Sequence, residues 1–222
     1  MFPLYDTLRP RRFPLVTWLL IGLNVLVFLY ELQLSPNLLR AFIEEWGVIP
    51  SDLIRAPDTR AVTVLSSMFL HGGWFHILSN MWVLFIFGDN VEDRIGAAGY
   101  LIFYLLSGVA AALIETWFLP FSNVAMIGAS GAIAGVLGAY LILFPRARIA
   151  SLMPILFIFT LVEVPAVVFL GFWFVSQLFS GWLSLQGANA GGIAWWAHVG
   201  GFLFGAIAVN FFKRNRRYEY RW

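Results

Sequence analysis

Residues 125–144 of the chain read AMIGASGAIAGVLGAYLILF, a run of 20 residues without a charged side chain. A helix needs roughly 20 predominantly apolar residues to cross the hydrocarbon core of a bilayer. Glycine and alanine recur through this run, and small residues spaced four apart let membrane helices approach each other closely. The segment therefore predicts a membrane-spanning helix that packs tightly against its neighbours and carries Ser130 near its start.

The composition of the whole chain agrees with a lipid environment. Of its 222 residues, 60% are hydrophobic and 12% are charged, and the mean hydropathy is +0.81. Soluble domains carry about 25% charged residues, so this composition excludes an ordinary water-soluble domain. The chain has no cysteine and three histidines, which excludes a disulfide framework, thiolate chemistry and cysteine-ligated metal sites.

Six segments are long and apolar enough to span a bilayer. They are residues 15–34, 74–91, 97–119, 125–144, 149–179 and 193–212. The fifth contains Pro154 and Pro165, so we expect it to be kinked or to begin as a segment on the membrane surface. Two shorter apolar stretches, 38–42 and 62–70, are expected to form short interfacial helices in the loop between the first two spans.

The predicted fold class is an all-α membrane protein built as a six-transmembrane-helix bundle. An even number of spans places 11 of the 14 basic residues on one side, as expected for the cytoplasmic side. We therefore predict a single membrane domain over residues 1–222, with both termini, about 1–13 and 213–222, in the cytoplasm. The acidic residues of the turn 88–96 are expected to be solvated there, and Glu115 is expected to reach water at an outer end.

Four polar side chains lie inside the predicted spans, where an unpaired polar group is costly. They are His76 and Asn80 early in the second span, Ser130 early in the fourth and His198 early in the sixth. Spans two, four and six all start on the outer side. At about 1.5 Å of rise per residue, all four groups lie roughly 5–10 Å below the outer interface. Topology thus predicts a polar cluster at one depth.

These side chains suit nucleophilic hydrolysis. A serine hydroxyl becomes a good nucleophile when a neighbouring histidine accepts its proton, and histidine can return that proton to a leaving amine. The tetrahedral intermediate then needs hydrogen-bond donors for its oxyanion. His76 and Asn80, at i and i+4 on one helix face, and the backbone N–H of Ser130 can supply such donors. The sequence therefore predicts a serine protease in which Ser130 and His198 react.

Structural roles explain each of these residues when it is taken alone. A serine in a small-residue helix usually packs or bonds back to its own helix. His198 can join two helices by a hydrogen bond, and His76 and Asn80 can form a structural pair. Their common depth favours a shared site. Glu163 lies deeper and can mark a polar pathway, whereas His71 is expected to anchor a loop.

The motifs around these residues resemble the rhomboid family of intramembrane serine proteases over nearly the whole chain. Residues 128–131 (GASG) match the family's G-x-S-G motif, and residues 197–205 (AHVGGFLFG) match the A-H-x-x-G-x-x-x-G pattern of its final span. Residues 67–81 (SMFLHGGWFHILSNM) look like the start of the family's second span with its H-x-x-x-N. Residues 88–96 (GDNVEDRIG) resemble the turn after that span, and residues 46–50 (WGVIP) resemble a loop segment common in bacterial members.

This resemblance implies a nucleophilic role for Ser130 and a general-base role for His198. It implies that His76 and Asn80 help to hold the oxyanion, and that the fifth span and residues 176–194 act as gate and lid. The implied substrates are single-span membrane proteins, cut near the outer membrane surface after small residues in a helix that unwinds easily. No metal, other cofactor or nucleic-acid partner is expected, and the oligomeric state is left open.

The bacterial character of the 46–50 segment implies an integral protein of the bacterial cytoplasmic (inner) membrane. The sequence departs from the family pattern at Gly47, because many members carry a Trp-Arg pair in this loop, so the conformation of the loop is not carried over. Two other functions stay open. One is a non-catalytic rhomboid-like protein that binds membrane clients, and the other is a small transporter or channel with Glu163 and the histidines along its path.

Overall fold

A computed structural model describes residues 1–155, 158–186 and 192–213 of the chain. In chain order the helices are α1 (Leu15–Glu31), α2 (Pro36–Trp46), α3 (Pro50–Arg55), α4 (Pro57–Arg60), α5 (Thr63–Ser66), α6 (Trp74–Ile95), α7 (Ala97–Phe118), α8 (Ser130–Leu143), α9 (Ala166–Leu185) and α10 (Trp195–Phe212). A 3-10 turn at Ser67–Phe69 lies between α5 and α6. The strands are β1 (Phe2–Asp6), β2 (Arg148–Ile155) and β3 (Ile158–Pro165).

Six apolar helices form the bundle. In the described part of the chain, α7, α9 and α10 are each long and apolar enough to cross a membrane. Helix α6 meets the same criterion when it is taken together with the preceding segment Pro57–Phe69. The two are bent by 81° relative to each other. Helices α1 and α8 are shorter and apolar. The predicted class, a helical membrane bundle, is confirmed.

Helix α8 is the centre of this bundle. It packs against α6, α7 and α10, and nine of its residues, from Ala132 to Tyr140, are buried. Helix α10 packs mainly on α8 and α7, while α9 lies against α10 on the outside. A helix with so many small residues can be surrounded on several sides, because its neighbours approach its backbone directly.

The helix bounds follow the predicted spans closely, except at α8 and α9. The prediction starts this span at residue 125, but the helix begins at Ser130. Before it, Met126 forms an antiparallel bridge with Val48, and Gly128 has a φ of +119°. This φ is favoured by glycine and strained for other residues, so the chain turns into the helix at Gly128.

The prediction of a fifth span over residues 149–179 is wrong in its first half. Strands β2 and β3 form an antiparallel hairpin there, with Ala150 opposite Glu163, and β1 adds a third strand on the other side of β2. The indole N–H of Trp82 donates to the carbonyl oxygen of Pro3 at 2.7 Å and ties β1 to α6. A short apolar run can form either a strand or a buried helix, and pairing with the distant N-terminal strand selects the strand.

The lid prediction for residues 176–194 is also wrong in part, because α9 continues as a helix to Leu185. Residues 187–191 of that predicted loop lie outside the described residues. The same holds for most of the predicted C-terminal tail, including Arg214, Arg216, Arg217 and Arg221.

The acidic residues of the 88–96 turn are not solvated as predicted, since Glu92 and Asp93 are buried. The Glu92 carboxylate accepts hydrogen bonds from the backbone N–H groups of Val16 and Thr17 at 2.9 and 2.8 Å. These groups are in the first turn of α1, where amide hydrogens have no partner within the helix. Glu92 therefore caps α1 and joins it to the end of α6.

The strand β1 is joined to the same end of the bundle by Asp6. Its carboxylate accepts hydrogen bonds from the hydroxyl of Tyr140 in α8 and from the side-chain amide of Asn90 in α6. Burial raises the pKa of Asp6 to about 6 from its ordinary 3.8, although these hydrogen bonds act in the opposite direction. The three-stranded sheet is thus connected to two helices of the bundle by a partly buried carboxyl group.

Candidate active site

Ser130 and His198 meet at the end of the bundle opposite the sheet. Ser130 is the first residue of α8, and His198 lies in the first turn of α10. The distance from Ser130 Oγ to His198 Nε2 is 2.8 Å, which is a hydrogen bond. The two side chains that the sequence analysis paired are therefore in direct contact, as nucleophile and base would be.

Direct contact between the backbones of α8 and α10 brings this pair together. A Cβ atom at Gly201 would collide with the carbonyl oxygen of Gly131, one residue after Ser130. One turn further along, a Cβ atom at Gly205 would collide with the carbonyl oxygen of Gly135. Small residues allow this approach, so the two backbones themselves set the separation of Ser130 and His198.

Glu115 fixes the start of α10, a role that the sequence analysis missed. The predicted exposure of this carboxylate is wrong, because Glu115 is 5% exposed. Its Oε2 accepts a hydrogen bond from the backbone N–H of Ala197 at 2.7 Å. A carboxylate at a helix N-terminus satisfies free amides and interacts favourably with the helix dipole. The residue before His198 is therefore held by a group on α7.

His76 lies close to the turn that leads into α8. A Cβ atom placed on Gly128 would be 2.5 Å from His76 Nε2, so the ring approaches the backbone of this turn. The backbone N–H of Gly72 lies 3.3 Å from His76 Nδ1 and donates to it. In a neutral imidazole the other nitrogen then carries the hydrogen. His76 Nε2–H is thus a donor that faces the residues just before Ser130.

Asn80 supplies a second donor next to the same turn. It lies one helical turn after His76 on α6, and its Nδ2 is 3.6 Å from a Cβ atom placed on Gly128. This buried Nδ2 has no hydrogen-bond partner among the described residues. Buried donors in proteins nearly always have a partner, so an unpaired one here is available to an oxyanion. The structure brings all four predicted site residues to one place.

Gln177 is the site residue that the sequence analysis passed over. It is a buried residue of α9, and its Oε1 is 2.8 Å from His198 Nδ1. The rings of Trp173 and Trp195 flank the imidazole of His198, with centroids at 6.0 and 6.1 Å. A polar residue within an apolar helix is the pattern that would have found it.

Two other residues that the sequence singled out lie apart from the Ser130–His198 contact. His71 is buried, its backbone N–H donates to the Glu31 carboxylate, and its ring packs edge-on against His76. Glu163 is exposed on β3 and pairs with Arg148 at 3.8 Å. In the described part of the chain, no cluster of three or more histidine and acidic residues could hold a metal ion.

Comparison with known proteins places the chain in one family. Residues 58–215 match the family model of the Rhomboid domain. The chain is 30% identical to Rhomboid protein 1, mitochondrial, of Saccharomyces cerevisiae over 198 residues, which are 86% of this chain and 51% of that protein. It is also 30% identical to the bovine Presenilin-associated rhomboid-like protein, mitochondrial, over 83% of this chain and 46% of the relative.

A plant relative matches over a shorter stretch. Rhomboid-like protein 11, chloroplastic, of Arabidopsis thaliana is 40% identical over 72 residues, or 32% of this chain and 25% of that protein. The chain spans about half the length of the longer-matching relatives. Since the domain match covers more than half of the chain, this protein belongs to the rhomboid family of membrane proteins.

Proposed function

We propose that this protein is an intramembrane serine endopeptidase that hydrolyses peptide bonds in or near the spans of single-span membrane proteins. The observation that carries the proposal is the 2.8 Å contact between Ser130 Oγ and His198 Nε2. Each residue comes from a different helix, and tight backbone packing holds the two helices together. This is the arrangement that a histidine base needs to activate a serine.

The proposed reaction has two halves. His198 Nε2 takes the proton from Ser130 Oγ as the oxygen attacks the scissile carbonyl carbon, and a tetrahedral oxyanion forms. When this intermediate collapses, the C–N bond breaks, and His198 gives the proton to the departing amine. Water then attacks the acyl-enzyme with the help of His198, and the carboxylic acid product leaves Ser130 free.

The oxyanion would be held by donors that are already in place. His76 Nε2–H and Asn80 Nδ2 lie beside Gly128, two residues before the nucleophile. The N–H of Ser130 lies in the first turn of α8, where amides lack partners within the helix. Donors that are positioned before reaction stabilise the developing charge without reorganisation, and removing one typically costs about 10²–10³-fold in kcat.

We propose that a substrate reaches this pair through a groove beside the start of α10. It is lined by the segment after α7 and by the residues that precede and begin α10, including Leu119, Met126 and Trp195. Trp195 also flanks the His198 ring. We propose that a substrate segment unwinds and lies in this groove, because an extended backbone is needed to present a peptide bond to Ser130.

Membrane orientation is part of the proposal. Arg94 in the last turn of α6 and Arg148 at the start of β2 lie at the end opposite Ser130, and we place this end in the cytoplasm. The bacterial cytoplasmic membrane stays a prediction from the sequence, since the relatives described above carry mitochondrial and chloroplastic names. The transporter alternative loses its main support, because Glu163 is exposed and paired with Arg148.

The test is cleavage of a single-span substrate by the purified protein in liposomes. Ser130→Ala should lower the rate by at least about 10³-fold, because the nucleophile is lost and little else changes. The matched control is Ser107→Ala, which removes a buried hydroxyl that donates to Phe103 in its own helix, and it should cleave normally.

A fluorophosphonate probe gives an independent readout of the same serine. It should label the wild-type protein and the Ser107→Ala variant but not Ser130→Ala. Cleavage that persists in Ser130→Ala would overturn the proposal. A wild-type protein that neither cleaves nor reacts with the probe would instead favour a non-catalytic protein that binds membrane clients.

A further inference from the structure

Gln177 stands out among the residues of α9. The helix reads AVVFLGFWFVSQLFSGWLSL, and Gln177 is its longest polar side chain. It is 6% exposed, although a buried amide is costly unless it forms hydrogen bonds. Its position therefore needs a specific partner, and both ends of the amide have one.

Hydrogen bonds on α9 fix the orientation of the Gln177 amide. Its Nε2 donates to Ser176 Oγ at 3.0 Å, and the Ser176 hydroxyl donates to the carbonyl oxygen of Trp173 at 2.6 Å. The nitrogen side of the amide is therefore satisfied within α9. The oxygen side, Oε1, faces His198 Nδ1 at 2.8 Å.

This orientation selects one form of the His198 ring. An amide oxygen can only accept a hydrogen bond, so Nδ1 of His198 must carry the hydrogen. A neutral imidazole then has its lone pair on Nε2, which is the nitrogen that faces Ser130 Oγ. Only this tautomer can accept the serine proton.

We propose that Gln177 is a positioning residue that holds His198 in the tautomer and ring orientation needed to activate Ser130. This inference rests on the proposed function and adds a third member to the pair, supplied by a third helix. Glutamine takes the place that a carboxylate or amide occupies in other serine and cysteine hydrolases. It orients the base without adding a negative charge to the interior of the membrane.

Two substitutions separate the hydrogen bond from the volume of the side chain. Gln177→Met keeps nearly the same length and removes the amide oxygen, whereas Gln177→Glu keeps an acceptor oxygen at the same reach. We expect Gln177→Met to lower kcat by about 10- to 100-fold, as happens when orienting partners of metal-bound histidines are removed. KM should change less than about twofold, because the proposed role of Gln177 is exerted through His198. Gln177→Glu should retain clearly more activity than Gln177→Met.

Nitrogen-15 NMR of the histidine rings gives a readout that a purely structural role would not change. The chain has three histidines, so single substitutions assign the signals. Wild-type His198 should show the Nδ1–H tautomer, and Gln177→Met should show a mixture of both tautomers. Equal thermal stability of the two proteins in detergent would exclude unfolding as the cause.

The proposal is overturned if Gln177→Met stays within about twofold of wild type, if its defect lies in KM alone, or if the tautomer of His198 does not change. These outcomes can be distinguished from a failure of the proposed function, which would be cleavage that persists in Ser130→Ala. The NMR spectrum is recorded on the resting protein, so it tests the role of Gln177 even if Ser130→Ala continues to cleave. Conversely, an unchanged tautomer leaves the Ser130–His198 mechanism intact.

Discussion

Near the proposed active site, two of the neighbours of helix α10, the helices α8 and α9, pack against it in opposite ways. Against α8 it presents glycine, so that Gly201 and Gly205 touch carbonyl oxygens of the facing backbone. Against α9 it presents large side chains, as in the stack of Phe202 on Phe174 with ring centroids 4.6 Å apart. Backbone contacts leave no room for adjustment, whereas stacked aromatic rings can slide or change rotamer.

The difference shows how the parts of the site are held. The distance between Ser130 and His198 depends on the glycine contact, which has one close-packed arrangement. The contact between Gln177 and His198 depends on the side-chain packing of α9. This helix is exposed at Phe179 and Trp182, in the part that follows Gln177. Ser130 and His198 are thus a fixed pair, whereas Gln177 belongs to a helix that is held less tightly.

The largest effect should come from adding one methyl group to the fixed interface. In Gly205→Ala the new Cβ would collide with the Gly135 carbonyl oxygen, so the helices must separate. Overpacking of this kind costs about 1–3 kcal/mol, and we expect cleavage to fall by at least about tenfold as Ser130 and His198 move apart. Unfolding in detergent and cleavage rates measure both effects.

The matched control is Gly171→Ala in α9, where an added Cβ atom would meet nothing within 4 Å. It should be neutral or slightly stabilising, because alanine favours the helix. If both variants behave alike, the contact of Gly205 with the Gly135 carbonyl oxygen does not set the separation of the two helices.

A second effect is expected at the opposite end of the bundle, where Asp6 joins the sheet to α8. The folded protein holds a proton on this carboxyl up to a pKa of about 6, whereas the unfolded chain loses it near 3.8. The contribution of Asp6 to stability is therefore fully present below pH 4 and is lost as the pH rises through about 6. The loss should be on the order of 3 kcal/mol.

Asp6→Asn isolates this contribution, because the variant keeps a neutral side chain of the same size. The difference in unfolding free energy between wild type and Asp6→Asn should shift against the wild type between pH 4 and pH 7. A difference that does not vary with pH would show that Asp6 titrates normally.

The smallest effect is expected on the outward face of α9. Phe172 is 65% exposed in the protein, so Phe172→Ala removes contacts with lipid and few with the bundle. We expect the unfolding free energy to change by less than about 0.5 kcal/mol, with cleavage unchanged. A large loss of stability would mean that α9 is held as firmly as α8.

Much of this arrangement could be predicted from the sequence, because the relevant patterns are local. Apolar runs of sufficient length marked α6, α7 and α10 nearly to their ends, and glycine spacing predicted close packing of the helix that carries Ser130. The depth argument brought His198, His76 and Asn80 to the same end because helix rise is constant. Helical structure also lies at both apolar stretches predicted between the first two spans, with α2 at 38–42 and α5 and the 3-10 turn at 62–70, whereas α3 and α4 were not predicted.

The features that sequence reasoning missed depend on contacts between distant segments. The β2–β3 hairpin reads as part of a span because a short apolar run has no distinctive periodicity, and β1 pairs with it from the other end of the chain. Glu92 and Glu115 are buried because they cap helices distant in sequence, α1 and α10. Gln177 lies near the middle of its helix. The depth argument considered polar residues near the first residues of spans two, four and six, and it therefore did not include Gln177.

Strand β3 continues directly into α9, and this continuity gives the helix one fixed end. Ala166 donates its N–H to Ala147 at 2.8 Å, and both Ala166 and Leu170 are completely buried. Gln177 stands about 16 Å further along the helix, from about 1.5 Å of rise per residue. A tilt of about 10° around that fixed end would displace the amide by about 3 Å, which is enough to break a hydrogen bond. The angle of a single helix would then switch the base between an oriented and a free state.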